Sequence, residues 1–128
     1  MAPIVVLVTE YSPLRAIQLR NAITRLVDND VLVFRSEDDA LSYLRAHATA
    51  AVFIDAETPW GGYAPGVVRN IRAVTAAPVA VLARSESIAT QLKGTGANAL
   101  INKPMTNESL TALSRVPGWA IQMREATA

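Results

Sequence analysis

The 128-residue chain reads as a doubly wound α/β domain, a five-stranded parallel sheet with helices on both faces. Three observations predict it. Short apolar runs recur five times, at 4–8, 31–34, 51–55, 79–83 and 99–101, without the polar alternation of a strand that has one wet face. The stretches between them are long enough to cross over between parallel neighbours, and most carry helical periodicity. Polar residues gather where several runs end, at Thr9-Glu10, Asp55 and Asn102-Lys103. In open parallel sheets that rim is where ligands and chemistry collect.

Each element has its own signal. Ile4-Val5-Val6-Leu7-Val8 is the first buried strand, and Ser12-Pro13 then opens a helix: the hydroxyl caps an orphan amide, and proline at the first helical position loses no hydrogen bond. Ala16, Leu19, Ile23 and Leu26 form the apolar stripe of that helix, with Arg15, Arg20 and Arg25 mainly off it. A polar turn at 27–30 leads to the second strand, Val31-Leu32-Val33-Phe34. Ser36-Glu37-Asp38-Asp39 begins the second helix with negative charge at the positive end of its dipole, and the helix runs to about His47.

The central strand, Ala51 to Asp55, is followed by a loop at 57–66 whose two prolines and three glycines oppose regular structure. Val67, Val68 and Ile71 mark a third helix, and Pro78 precedes the fourth strand, Val79 to Ala83. A fourth helix is predicted near Glu86 to Lys93, stopped by Gly94 and Gly96. The fifth strand is Ala99-Leu100-Ile101, and Thr106 caps a last helix running to about Val116 before Pro117-Gly118 breaks it. Residues 1–116 thus form one domain. The tail at 117–128 docks, frays or begins a linker.

Composition narrows the function classes. A hydrophobic fraction of 51% argues against disorder, and no apolar run is long enough to span a bilayer. The amino terminus enters the first strand directly, without a basic leader, so a cytoplasmic location is expected. There is no cysteine, and His47 is the single histidine, which excludes thiolate metal sites and makes a zinc cluster implausible. Twelve basic and eleven acidic residues are scattered to a net charge of +1, with no stripe to track a phosphate backbone. Direct nucleic-acid binding is not expected.

The fold would bring Thr9, Glu10, Asp55, Ala83 and Lys103 to one rim. Two carboxylates close together repel unless a cation lies between them, either Lys103 or a divalent ion. Oxygen ligands without histidine or cysteine favour Mg2+, and an aspartate there can attack phosphorus to form an acyl phosphate. Lysine would stabilise the transferred charge. The bland reading of Asp55 is turn initiation.

The residues at these strand ends carry a family resemblance. Glu10-Tyr11-Ser12 after the first strand, Asp55-x-x-x-Pro59 after the third and Lys103-Pro104 after the fifth make residues 4–116 resemble the receiver domain of bacterial response regulators. The resemblance implies a flavodoxin-like sheet of order 2-1-3-4-5. It also implies phosphorylation of Asp55 by a histidine kinase or phosphotransfer protein, with Lys103 assisting. Mg2+ would be held by Glu10, Asp55 and the backbone carbonyl of Glu57.

The chain departs from the pattern in four places. Thr9 stands where the family has a first acidic residue, and Glu10 where it has a second. Ala83 and Leu100 occupy the hydroxyl and aromatic switch positions. The loop after the fourth strand is about two residues short, and the loop after Asp55 carries an extra residue around Trp60-Gly61-Gly62. A hydrogen bond to a charged group contributes about 1.5–3 kcal/mol, so these losses weaken the hold on a phosphoryl group and on Mg2+.

Three readings follow. One is a phosphate-accepting relay module, not an enzyme, in a two-component phosphorelay. Another is a pseudo-receiver, in which Asp55 forms a static pair with Lys103 and another signalling protein, or a second copy in a homodimer, reads a fixed surface. The third, a hydrolase or cofactor binder, fares worst: no glycine-rich loop follows the first strand, and His47 lies on the second helix, away from any Ser-His-Asp set. Trp60 and Tyr63 either fold over the core edge or anchor a partner.

Overall fold

All five apolar runs pair into one parallel sheet of order β2-β1-β3-β4-β5, in a computed structural model that describes residues 1–8, 13–55, 65–83, 94–103 and 105–125. The strands are β1 (Ile4–Val8), β2 (Val31–Phe34), β3 (Ala51–Asp55), β4 (Val79–Ala83) and β5 (Ala99–Asn102). Every residue of β1, β3 and β4 is buried, which is why their sequences show no alternation. The edge strand β2 is half-buried throughout. The order matches the flavodoxin-like topology that the resemblance implied.

Helices α1 (Pro13–Thr24), α2 (Glu37–Ala46), α3 (Pro65–Val74) and α4 (Asn107–Ser114) cover the sheet. Alternation along the strands sorts the core in two. Ile4, Val6, Val8, Ala51 and Phe53 pack with Ala16 and Ile23 of α1 and Leu110 and Leu113 of α4. Val5, Leu7, Val52, Ile54 and Val81 pack with Ala40 and Leu44 of α2 and Val67, Val68 and Ile71 of α3. The side of the sheet on which a strand-end residue emerges therefore decides which helices it meets.

Local signals set most helix ends. Ser36 accepts a hydrogen bond from Asp39 N at 3.3 Å, and Thr106 accepts one from Ser109 N at 3.1 Å, so both are N-caps. Several boundaries differ from the sequence reading. The first helix ends at Thr24, so Leu26 lies beyond it, and the fifth strand runs on to Asn102. The third helix starts at Pro65, inside the stretch read as loop, because proline is compatible with the first helical turn. The last helix ends at Ser114 rather than near Val116, with Arg115 closing it. The helix expected near Glu86 to Lys93 lies outside the described residues.

The carboxyl-terminal segment docks. Trp119 and Ile121 enter the α1/α4 side of the core, and the Trp119 ring stacks on Phe53 with centroids 6.5 Å apart. From there the chain runs antiparallel to residues 26–28. Arg124 N donates to Leu26 O at 2.8 Å, Asp28 N donates to Gln122 O at 2.7 Å, and Val27 bridges Met123. Asn29, 4% exposed, holds three chain segments together: its amide nitrogen donates to Ala2 O (2.9 Å) and Ala120 O (3.1 Å), and its oxygen accepts from Gln122 N (2.8 Å).

Candidate functional site

Asp55 ends β3 in register with Val8 of β1, and alternation along β3 puts it on the side of Ala51 and Phe53, the side covered by α1. The same period along β5 runs through Ala99 and Ile101, both on that side, to Lys103. Backbone pairing carries the ladder one residue past β5, since Lys103 N donates to Ala83 O at 2.9 Å. Lys103 Nζ thereby reaches Asp55 Oδ1 at 2.5 Å.

The carboxylate is 2% exposed. A charge so far from water is sustained only by opposite charge and hydrogen bonds. Lys103, 10% exposed, supplies one partner, and Arg15 supplies a second, its Nε lying 3.3 Å from Asp55 Oδ2. That contact is longer than the roughly 2.7–2.9 Å of a strong charge-assisted hydrogen bond. Of these two contacts, the one at Oδ1 is the tighter.

Arg15 is the site residue that sequence reasoning missed. Its place off the apolar stripe of α1 marked it as a solvent-facing arginine. It lies in the first turn of α1, however, directly before buried Ala16, so its stem leaves the helix beside the sheet rim. A pointer was available in the sequence: a cation two to three residues after the start of the first helix stands within a side chain's length of the strand-end rim.

The other predicted residues fall into two groups. Ala83 and Leu100 belong to the opposite core, on the α2/α3 side, Ala83 fully buried and Leu100 partly so. Neither shares the face that holds Asp55 and Lys103. Thr9, Glu10, Glu57, Trp60, Tyr63 and Pro104 lie outside the described residues. Among the described residues, the site is one buried carboxylate between an ammonium and a guanidinium.

Among the described residues, the groups around Asp55 do not suit Mg2+ on its carboxylate. The ion needs oxygen ligands at about 2.0–2.1 Å, and here each carboxylate oxygen already faces a fixed cation. The same set does suit an anion with several oxygens, because two positive groups converge on one negative one.

No protein-family model matches the chain, and no curated protein does. Solved structures do. The chain is similar to the receiver domain of the Francisella response regulator 1452, with 17% identity, a TM-score of 0.65, and coverage of 86% of this chain and 91% of that one. It is similar to the Vibrio cholerae chemotaxis protein CheY4, with 17% identity, a TM-score of 0.65, and coverage of 88% and 94%. A response regulator receiver protein from Pseudoalteromonas atlantica aligns with a TM-score of 0.66 at 18% identity, over 86% and 92%. The fold is that of receiver domains.

On the receiver fold, the rim described above is where the strand ends of β1, β3 and β5 meet. An adenylate cyclase from Rhodopirellula baltica also aligns, at 19% identity with a TM-score of 0.63 over 88% of this chain and 84% of that one. No helix among the described residues is long and apolar enough to cross a membrane.

Proposed function

We propose that the protein is a receiver module of a two-component phosphorelay, non-enzymatic and cytoplasmic, with Asp55 as its phosphoacceptor. The observation that carries this reading is the buried Asp55 carboxylate flanked by Lys103 and Arg15 at the sheet rim. In the transfer, one Asp55 oxygen attacks phosphorus and the bond from phosphorus to the donor's leaving atom breaks, the leaving atom departing with the electron pair. Lys103 holds charge on the phosphoryl oxygens. The donor is a histidine kinase, a phosphotransfer protein or a small acyl phosphate.

The second reading is the pseudo-receiver, a binding module that signals without phosphorylation. The engagement of both Asp55 oxygens by cations favours it, because a nucleophile tied at both oxygens must first release one. Intact-mass measurement after incubation with acetyl phosphate separates the two. A phosphoryl adduct in the wild type that is absent from Asp55→Asn is the expected result. An unmodified wild type would overturn the acceptor reading in favour of the pseudo-receiver.

A further inference from the structure

We propose that Arg15 is the resident cation of this site, standing at Asp55 Oδ2 in place of a divalent metal and making the site independent of metal. The inference rests on Asp55 being the functional carboxylate, as proposed above.

The geometry comes first. An ion bound to Oδ2 at about 2 Å would lie within about 5 Å of a guanidinium nitrogen that is itself 3.3 Å from the same oxygen, with the Lys103 ammonium on Oδ1. Among the described residues, three positive centres would then crowd one carboxylate and repel. Even at the dielectric constant of water, a dication and a unit charge at that separation disfavour co-occupancy by about tenfold, and burial raises the figure.

The chemistry of the residue comes second. A lysine can yield to a neighbouring cation by losing its proton, whereas a guanidinium stays charged throughout the accessible pH range. Arg15 can make room only by swinging away. Its side chain is 25% exposed, and its backbone is fixed in α1 beside buried Ala16, so that movement gives up both the ion pair and the packing of its stem. The planar fork also suits what the metal would otherwise serve, because it can move from the carboxylate oxygen to two oxygens of a phosphoryl group. Arg15 therefore selects for an anionic group at Asp55 and against a divalent cation.

The test titrates Mg2+ alone into the protein and follows the backbone amide resonances of Asp55 and Lys103. The wild type is expected to show no site-local shifts at millimolar Mg2+. Arg15→Gln should gain saturable shifts with an affinity at least about tenfold higher, and Arg15→Lys, which keeps a positive charge, should remain far less responsive than Arg15→Gln. The Arg15→Gln/Asp55→Asn double variant should lose the gained response, which localises it to the carboxylate. Two results overturn the proposal: wild-type protein that binds Mg2+ at Asp55, or Arg15→Gln that keeps a folded spectrum and stays blind to the ion.

The acetyl phosphate reaction keeps the two proposals apart. A wild-type adduct that forms only with Mg2+ sinks the role given to Arg15 and leaves the acceptor reading standing. An absent adduct alongside the predicted titration pattern does the reverse.

Discussion

At the scale of single residues, Asp55 shows how one carboxylate becomes a candidate site. It is the last residue of a strand buried along its whole length, and at 2% exposure it shares that burial. Its charge is sustained by cations delivered from two other elements, α1 and the end of β5. Removing one leaves the other, so Lys103→Met is expected to lower the unfolding free energy by about 1–3 kcal/mol. This is less than the ~3–5 kcal/mol of breaking an isolated buried pair, because Arg15 remains. A denaturant midpoint unchanged within error would show that Lys103 contributes nothing net. Asn29 is a second such residue, itself buried and with three hydrogen bonds to backbone groups. Asn29→Ala strands two carbonyls and an amide, and equilibrium unfolding should register a loss of about 2–3 kcal/mol.

At the scale of elements, three glycines separate backbone need from mere tolerance. Gly96, at φ +93°, sits where a Cβ would come within 2.7 Å of Arg72 Cγ. That arginine is not free to retreat. Its Nε donates to Gly96 O at 3.1 Å and its Nη2 to Asn98 Oδ1 at 2.6 Å, while Asn98 Oδ1 also accepts from Val79 N at 2.8 Å. The cluster ties the end of α3 to the starts of β4 and β5. Gly96→Ala is therefore expected to cost about 2 kcal/mol. Gly66 lies in the first turn of α3 with nothing within 4 Å of an added Cβ, and there alanine should add about 0.5 kcal/mol by restricting the unfolded chain. Thermal melts of the two variants should move in opposite directions. Gly94 falls between them, at φ +77° with open space around it, so only the backbone conformation opposes substitution.

At the scale of the whole molecule, the segment after α4 completes the core. α4 is eight residues long, and Trp119 and Ile121 supply apolar surface on the α1/α4 side beyond its end. Trp119→Ala should cost about 3–5 kcal/mol, the usual range for emptying a large buried aromatic site. Ending the chain before residue 117 should cost at least as much, since it also removes the partners of Asn29, Leu26 and Asp28. If urea unfolding of the shortened chain matched that of the full one, the segment would be an appendage and not part of the core.

The strands, their parallel arrangement and the rim were legible in the chain before any packing was known. An apolar run buried on both faces needs no partner to be recognised, and the crossovers are long enough for parallel neighbours. The sequence also singled out Asp55 and Lys103 as candidates, because residues at the carboxyl end of a strand stand at the rim whatever the packing beneath. Other features follow from how the elements pack. Alternation along β3, β4 and β5 sends Asp55 and Lys103 to the α1 side and Ala83 and Leu100 to the other, a distinction that depends on which helices cover which face. Asn29 read as one more polar turn residue, since its three partners come from segments as far as 93 positions away. Arg15 offered only its place near the start of α1 as a pointer, for the same reason. Periodicity says which face of a helix turns from the core, whereas the carboxylate that meets a side chain at the helix end is fixed by how that helix seats on the sheet.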